Sequence, residues 1–364
     1  MPRINGLEVY TDETGQHELL APASIRYRIL ESVIHLGLSI LECPQGRDSL
    51  VHIAAMVIEL RSNPTKGKPI PHVYNRPLDE MPQWIDRFLR SLKANFPTVY
   101  LRVCLGEASA VKYNWGDDMA KYNPKVAGHL NVQRSIINNM AYVHGQPPDI
   151  ARDNYKLFKY QMGITIAHEI VHLLTGYLTG TARPLTPPRV SLTAYGKSKA
   201  GESGRYWEST MLGGVVEFWE DITDPLKERQ AGKPYLIKDG RNNVPAKLIS
   251  MNYINNLLHG NFSFPVVTST SSGASTTRGA LRQGGREMTT VRKRWDAPTY
   301  TSPPRGESPA SSTTSYRRLP TTSSIYATQS HNGRHGTPEY ASSWRDLLKR
   351  FWHWSGFRNI KPTN

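Results

Sequence analysis

The chain contains 364 residues, carries a formal net charge of +15, and is 38% hydrophobic. Its two cysteines, Cys43 and Cys104, are too few for a disulfide framework, and no apolar run approaches the length of a membrane span. The N-terminus lacks the apolar segment of a secretory signal. We therefore expect an intracellular protein, cytoplasmic or nuclear, without a transmembrane segment.

The first part of the chain mixes helical and extended patterns. Residues 24–41 are typical of a helix, and Ser24 can cap its N-terminus. The apolar run at 50–60 suits a buried helix or strand. Apolar residues in the segment 78–94 recur at helical spacing, which predicts an amphipathic helix. The β-forming residues at 98–105 predict a strand.

A short extended segment at 128–132 precedes a long helical pattern at 153–180. Asp153 or Asn154 can cap the N-terminus of this helix, and Gly180 can end it. Apolar residues cover most of the helix surface, a pattern typical of a helix that runs through a hydrophobic core.

This helix carries the motif His-Glu-Ile-Val-His at residues 168–172. Because residues four apart lie one turn apart on the same face, His168 and His172 can bind one metal ion. Glu169 then lies beside the open coordination position, where its carboxylate can accept a proton from water. The motif predicts a zinc site with His168 and His172 as ligands and Glu169 as the general base.

A catalytic zinc ion has three protein ligands and keeps one position open. The next histidine after His172 is His259, so the downstream carboxylates are the closer candidates for the third ligand. They are Glu202, Glu208, Glu217 and Glu220.

The stretch Glu-Ser-Gly-Arg-Tyr-Trp-Glu at 202–208 is the best local candidate for a second helix that carries this ligand. An H-E-x-x-H helix followed by a helix with a glutamate resembles the gluzincin metallopeptidases, of which thermolysin is the familiar member. The pattern is also similar to that of uncharacterised fungal proteins. The resemblance implies that Glu208 is the third zinc ligand and that Ser203 caps the second helix.

Glu202 is the alternative third ligand. If Glu208 binds zinc, Glu202 is better interpreted as a carboxylate at the helix start, or as one that steadies a ligand imidazole. One turn after Glu208, where thermolysin-like enzymes have an aspartate that orients a ligand histidine, this chain has Leu212.

The resemblance also implies a fold and an activity. We expect an α+β, zincin-like domain with a small mixed sheet and an active-site helix, and zinc-dependent hydrolysis of peptide bonds. In this superfamily an edge strand lies beside the metal and pairs with the peptide substrate, and the segment 128–132 is the candidate here. The donors that could stabilise the transition-state oxyanion are Tyr195, Tyr206, Tyr253 and His259.

Beyond residue 208 the pattern changes. Gly213 and Gly214 can break or weaken the second helix, while the segments 215–219 and 235–237 suit strands. Residues 248–258 suit another helix.

The composition divides the chain into three parts. Residues 1–263 form the expected metallopeptidase domain, residues 264–340 are a basic Ser/Thr/Pro-rich linker expected to be disordered, and residues 341–358 predict an amphipathic helix. Residues 264–364 contain 15 lysines and arginines against 5 acidic residues. This basic tail favours an anionic partner, although a solvated linker without a partner explains it equally well.

Two further functions fit the sequence. The domain can be a catalytically inactive zincin-fold binding module that acts through its basic tail. The chain can also be a nucleic-acid-associated protein, but its tail has few aromatic residues that could stack on bases.

Overall fold

The computed structural model describes residues 3–13, 16–64, 68–104, 106–113, 115–180, 186–192, 201–221, 224–238 and 245–269, and two short strands at 276–277 and 290–292. The chain divides into two units, and every described residue belongs to the first, residues 1–301. Within the described residues this unit is an α+β fold with eight α-helices and two five-stranded sheets. No helix in these ranges is long and apolar enough to cross a membrane.

The first three helices are α1 (Ile25–Glu42), α2 (Pro44–Ser62) and α3 (Met81–Ala94). They confirm the predicted helices, and Ser24 caps α1 as expected, since its hydroxyl accepts the amide N–H of Tyr27 at 3.2 Å. The apolar run at 50–60 is helical and belongs to α2. A 3₁₀ turn, Leu78–Glu80, leads into α3.

The first sheet is mixed. Its strands are β1 (Val9–Thr11), β2 (Glu18–Leu19), β3 (Thr98–Arg102), β4 (Ala108–Lys112) and β5 (Gly128–Gln133), and their order is β2-β1-β3-β5-β4. Strands β1, β3 and β5 run parallel, whereas β2 and β4 run antiparallel to their neighbours. The strand predicted at 98–105 is therefore confirmed, although it ends at Arg102.

The segment predicted as an edge strand lies inside the sheet. Strand β5 pairs with β3 on one side and with β4 on the other, so that Leu130 lies opposite both Val99 and Ala110. Among the described strands, β4 occupies one edge of this sheet and β2 the other. The small residues of β4 have a weak β propensity, and for this reason the sequence did not indicate a strand there.

The motif lies on α6 (Pro148–Thr179), the longest described helix, which follows the short α4 (Pro124–Ala127) and α5 (Arg134–His144). Helix α6 begins at Pro148, before the predicted caps Asp153 and Asn154, because proline suits the first helical turn. It ends at Gly180, as predicted, and this glycine has a φ of 55°. Most side chains of α6 are buried, as expected for a core helix.

Two glycines let α1 and α6 approach each other closely. A Cβ atom on Gly37 would lie 2.8 Å from Cγ2 of Ile166, and one on Gly163 would lie 2.4 Å from Cδ2 of Leu36. No real side chain fits into such distances without a shift of its neighbours. The contact therefore fixes the segment of α6 that leads directly into His168.

The rest of the described chain adds a short helix and an antiparallel sheet. Its elements are α7 (Ser203–Trp207), a single π-helical turn (Glu208–Leu212), β6 (Val215–Asp221), β7 (Lys233–Ile237), β8 (Pro245–Leu248), α8 (Met251–Leu258), β9 (Thr276–Thr277) and β10 (Thr290–Arg292). The strand order is β10-β6-β7-β8-β9. Gly213, with a φ of 79°, ends the helical segment, and the predicted strands and final helix are confirmed.

The folded chain continues a little beyond residue 263. Val266 is buried and donates its amide N–H to the carbonyl of Leu212 at 3.0 Å, and the Ser269 N–H reaches the Leu248 carbonyl at 2.8 Å. The remainder of the predicted linker, apart from β9 and β10, and the predicted helix at 341–358 lie outside the described residues.

Candidate metal centre

Helix α6 presents both motif histidines on one face. Nε2 of His168 lies 3.3 Å from Nε2 of His172, because the two residues are one helical turn apart. Both rings are largely buried between α6 and α7.

Glu202 supplies the third converging group. Its Oε1 atom lies 2.7 Å from Nε2 of His172 and 3.5 Å from Nε2 of His168. Its other oxygen, Oε2, accepts the amide N–H of Arg205 at 2.6 Å and so caps α7. Glu202 rather than Ser203 is therefore the N-cap, and this capping bond holds the carboxylate in place.

The three groups fit a metal ion. Within the described residues, His168, His172 and Glu202 form the one cluster of potential ligands whose donor atoms all lie within 4.8 Å of one another. Ligand atoms about 2.1 Å from a tetrahedral zinc ion are separated by about 3.4 Å. The separations of 3.3 and 3.5 Å match this value, and the separation of 2.7 Å is somewhat shorter.

The predicted third ligand, Glu208, lies on the other side of the His168 ring. Its Oε1 atom accepts a hydrogen bond from Nδ1 of His168 at 2.6 Å and is therefore turned away from the cluster. The buried carboxylate also binds Nη1 of Arg205 at 3.0 Å and accepts the N–H of Val216 at 3.1 Å. Glu202, rather than the predicted Glu208, therefore completes the group that could hold a metal ion, and Glu208 contacts the opposite nitrogen of the His168 ring.

The ring of His172 is oriented in the same way by a hydroxyl group. Oγ of the fully buried Ser203 lies 3.2 Å from Nδ1 of His172, and Thr175 and Thr186 hold the serine hydroxyl from two sides. With Nδ1 of both rings engaged, the Nε2 atoms remain for a metal ion.

Gly204 is the residue that lets α7 reach the site. A Cβ atom at this position would lie 2.3 Å from both Nε2 and Cδ2 of His168. Because only glycine leaves this space free, a glycine after Ser203 is compatible with a close approach of α7 to His168. The spacing of the glutamates alone does not indicate this approach. The role of Gly204 was not predicted from the sequence.

Negatively charged carboxylates dominate the electrostatics of the site. Burial acts to lower the pKa of His168, but the carboxylates of Glu202 and Glu208 outweigh burial and raise this pKa to about 10. Burial acts to raise the pKa values of both glutamates. Contacts with the two histidines hold the pKa of Glu202 well below its usual range, and Arg205 and His168 lower that of Glu208. An environment that favours positive charge so strongly suits a divalent cation.

Glu169 contacts the edge of the sheet. Its side chain is 7% exposed, and Oε2 accepts the main-chain N–H of Ala110 in β4 at 2.6 Å. The predicted general base therefore lies between the motif helix and an edge strand. The edge strand is β4, however, and not the predicted segment at 128–132.

A cavity of about 510 Å³ opens onto these groups. It is lined by residues of β4, of α6, of the α7 region and of β6, and it includes His168, Glu169, His172 and Glu202. Two cationic side chains, Lys112 and Arg205, also line it. Neither was predicted from the sequence to belong to the site.

Lys112 places a positive charge near the acidic groups. Its side chain passes Gly176 on α6, and burial lowers the pKa of its ammonium group, while Glu169 and Glu202 act to raise it. The predicted oxyanion donors lie elsewhere. Tyr206 contacts His52 and Met56, and neither Tyr253 nor His259 lines the cavity. Tyr195 lies outside the described residues.

No family model, curated protein or solved structure matches the chain. The assignment of a function therefore depends on the chemistry of the site itself.

Proposed function

We propose that the protein is a zinc-dependent peptidase with a zincin-like catalytic domain. The observation that carries the proposal is the convergence of Nε2 of His168, Nε2 of His172 and Oε1 of Glu202, with the Glu169 carboxylate in the same cavity. Two histidines and one glutamate, with one position left open, are the ligand set of catalytic zinc in several metallopeptidases. The hydrogen bonds to both Nδ1 atoms support the same ligand set.

In the proposed reaction, different residues of the cavity have different chemical roles. When bound, zinc would supply a Lewis acid that polarises a carbonyl group and lowers the pKa of water. Glu169 accepts a proton from the attacking water and returns it to the amine that leaves. Lys112 lines the same cavity and provides a fixed positive charge that can stabilise negative charge developing on the carbonyl oxygen.

The main-chain groups of strand β4 favour a peptide, in particular, as the substrate. The N–H of Ala110 points away from β5, towards Glu169, whereas the N–H of Tyr113 points to the opposite side and binds the carbonyl of Ala127. Because main-chain groups alternate along a strand, those of Ala108 and Lys112 share the direction of Ala110. An extended peptide can pair with these groups beside the metal centre.

The test compares the wild type with Glu169→Gln. The variant keeps a side chain of the same shape, so we expect it to retain one zinc ion per chain by elemental analysis. Its kcat/KM on a peptide library should fall roughly 10²- to 10⁴-fold, because the general base is lost. Glu42→Gln, the same change at a surface carboxylate that pairs with Lys93, should alter neither quantity.

Two results would contradict the proposal. Equal hydrolysis by Glu169→Gln would exclude the mechanism. One zinc ion per chain without cleavage of any peptide in the library would instead favour a catalytically inactive, zincin-fold binding module that acts through its basic tail.

A further inference from the structure

The cavity extends along α6 well beyond the metal ligands. Gln161, Thr165, His168 and His172 lie on one face of the helix, and all four line the cavity. Gln161 lies seven positions before His168, which places it about 10 Å along the helix axis from the first candidate ligand. A side chain of a bound peptide could span this distance if the side chain extends away from the scissile bond along α6.

Gln161 has a side-chain amide without a partner. The residue is 2% exposed, and within the described part of the chain neither its Nε2 nor its Oε1 atom makes a hydrogen bond. It is also the only described residue that both lines the cavity and has such unpaired buried atoms. Buried amide groups are costly to leave unpaired, so this amide in the wall of the cavity is a candidate partner for a polar group of a bound ligand.

The surrounding wall is apolar. Ile164, Val216 and Phe218 line the cavity with Gln161 and are all largely buried. A complementary ligand therefore has an aliphatic stem that contacts these side chains and a polar end that reaches the amide.

The amide of Gln161 offers one donor group and one acceptor. A primary amide satisfies both at once by exchanging two hydrogen bonds. A lysine or arginine side chain can use only the acceptor, a glutamate only the donor, and a methionine neither. Asparagine carries the same amide but is one methylene group shorter.

We propose that Gln161 selects a glutamine side chain at a position of the peptide that flanks the scissile bond. This inference rests on the proposed peptidase function, because it assigns a substrate preference to the same site. It makes Gln161 a specificity-determining residue at the end of the cavity remote from zinc.

The experiment uses the zinc-loaded full-length protein and pools of N-acetylated, C-amidated hexapeptides. In each pool one position is fixed as Gln, Met or Glu, and the others are randomised. We expect kcat/KM to be roughly 10- to 100-fold higher for Gln than for Met or Glu at one position next to the cleaved bond. The variant Gln161→Met should reduce this preference to less than about two-fold, since Met offers no hydrogen bond.

A stability measurement separates this role from a structural one. If the amide is unpaired in the free protein, Gln161→Met should unfold at the same urea concentration as the wild type or at a higher one. If a buried water molecule satisfies the amide instead, the variant should unfold at a lower urea concentration and keep the peptide preference, which would overturn the proposal. Gln83→Met, the same change at an exposed position of α3, should alter neither result.

A binding measurement separates this inference from the peptidase proposal. Zinc-loaded Glu169→Gln is titrated calorimetrically with the same peptide pools, with and without the additional change Gln161→Met. A Gln preference in binding that depends on Gln161 supports the inference even if the wild type hydrolyses nothing. The absence of any Gln preference, or one that survives Gln161→Met, overturns it.

Discussion

One imidazole at the centre of the site contacts a different carboxylate at each ring nitrogen. Nε2 of His168 faces Glu202, while Nδ1 donates to Glu208. The first carboxylate can share a metal ion with the ring, and the second fixes the orientation of the ring and makes it a better ligand. The two glutamates thus have distinct roles although they lie on the same short helical segment.

This division of roles predicts different effects on zinc binding. Glu202→Gln keeps an oxygen that can cap α7 but removes a negatively charged ligand, so we expect no stoichiometric zinc at micromolar protein concentration. Glu208→Gln should retain zinc with an affinity reduced roughly 10- to 100-fold. Elemental analysis after dialysis, followed by competition with a chelator, measures both quantities. Loss of zinc from Glu208→Gln together with normal zinc content in Glu202→Gln would restore Glu208 as the ligand.

The sequence was sufficient to bring the motif residues together, but it was insufficient to choose the third candidate ligand. His168, Glu169 and His172 follow from helical periodicity, because the spacing itself brings them together. The choice between Glu202 and Glu208 depends on which ring nitrogen each carboxylate reaches, and this depends on the close contact that Gly204 allows. That contact joins residues far apart in the sequence, so helical periodicity does not predict it.

At the level of the secondary-structure elements, the position of the site depends on how helix α6 packs against helix α1. Gly37 lies directly against Ile166, and Ile166 precedes the first candidate metal ligand, His168, by two positions. The glycine is needed for space rather than for a special backbone conformation, since it lies inside a regular helix.

Gly37→Ala should therefore destabilise the domain. Overpacking costs roughly 1–3 kcal/mol, and the higher helix propensity of alanine offsets up to about 1 kcal/mol of this cost. We expect a net decrease in the free energy of unfolding, measured by urea denaturation. In the control Gly145→Ala, the nearest atom to the new Cβ is 3.6 Å away and φ is −86°. A greater loss of stability in this control than in Gly37→Ala would argue against the packing explanation.

The helices were easier to predict than the strands. Residues 78–94 show an amphipathic pattern that follows directly from their apolar spacing, and α3 confirms it. Strand β4 was missed because Ala108, Ser109 and Ala110 show no alternation of large apolar and polar side chains. Which of two strands lies at an edge is a property of the whole sheet, and therefore β5 was assigned to the wrong position.

At the level of the whole molecule, the site and part of the positive charge lie in different units. Residues 302–364 contain 9 lysines and arginines and 3 acidic residues, whereas all the residues of the candidate metal centre lie within the unit 1–301. Metal binding and any electrostatic attraction to an anionic partner should consequently be separable.

A chain that ends at residue 301 should keep its zinc and its peptidase activity within about two-fold of the full-length protein. It should also elute from a heparin column at a lower salt concentration, because fewer cationic groups can displace counterions. Unchanged elution would show that the region after residue 301 does not contribute to anion binding. Loss of zinc on truncation would show that the metal centre depends on that region.

The hydrogen bond between Glu169 and the N–H of Ala110 has a consequence for the order of events in the proposed reaction. Under the proposed function, a peptide that adds to β4 would need the same N–H, so the substrate and the Glu169 carboxylate would compete for one donor. A docking peptide would then displace the carboxylate from the strand and free it to accept a proton from water. Substrate entry and activation of the proposed base would be a single step, and between substrates the carboxylate would stay hydrogen-bonded to the strand.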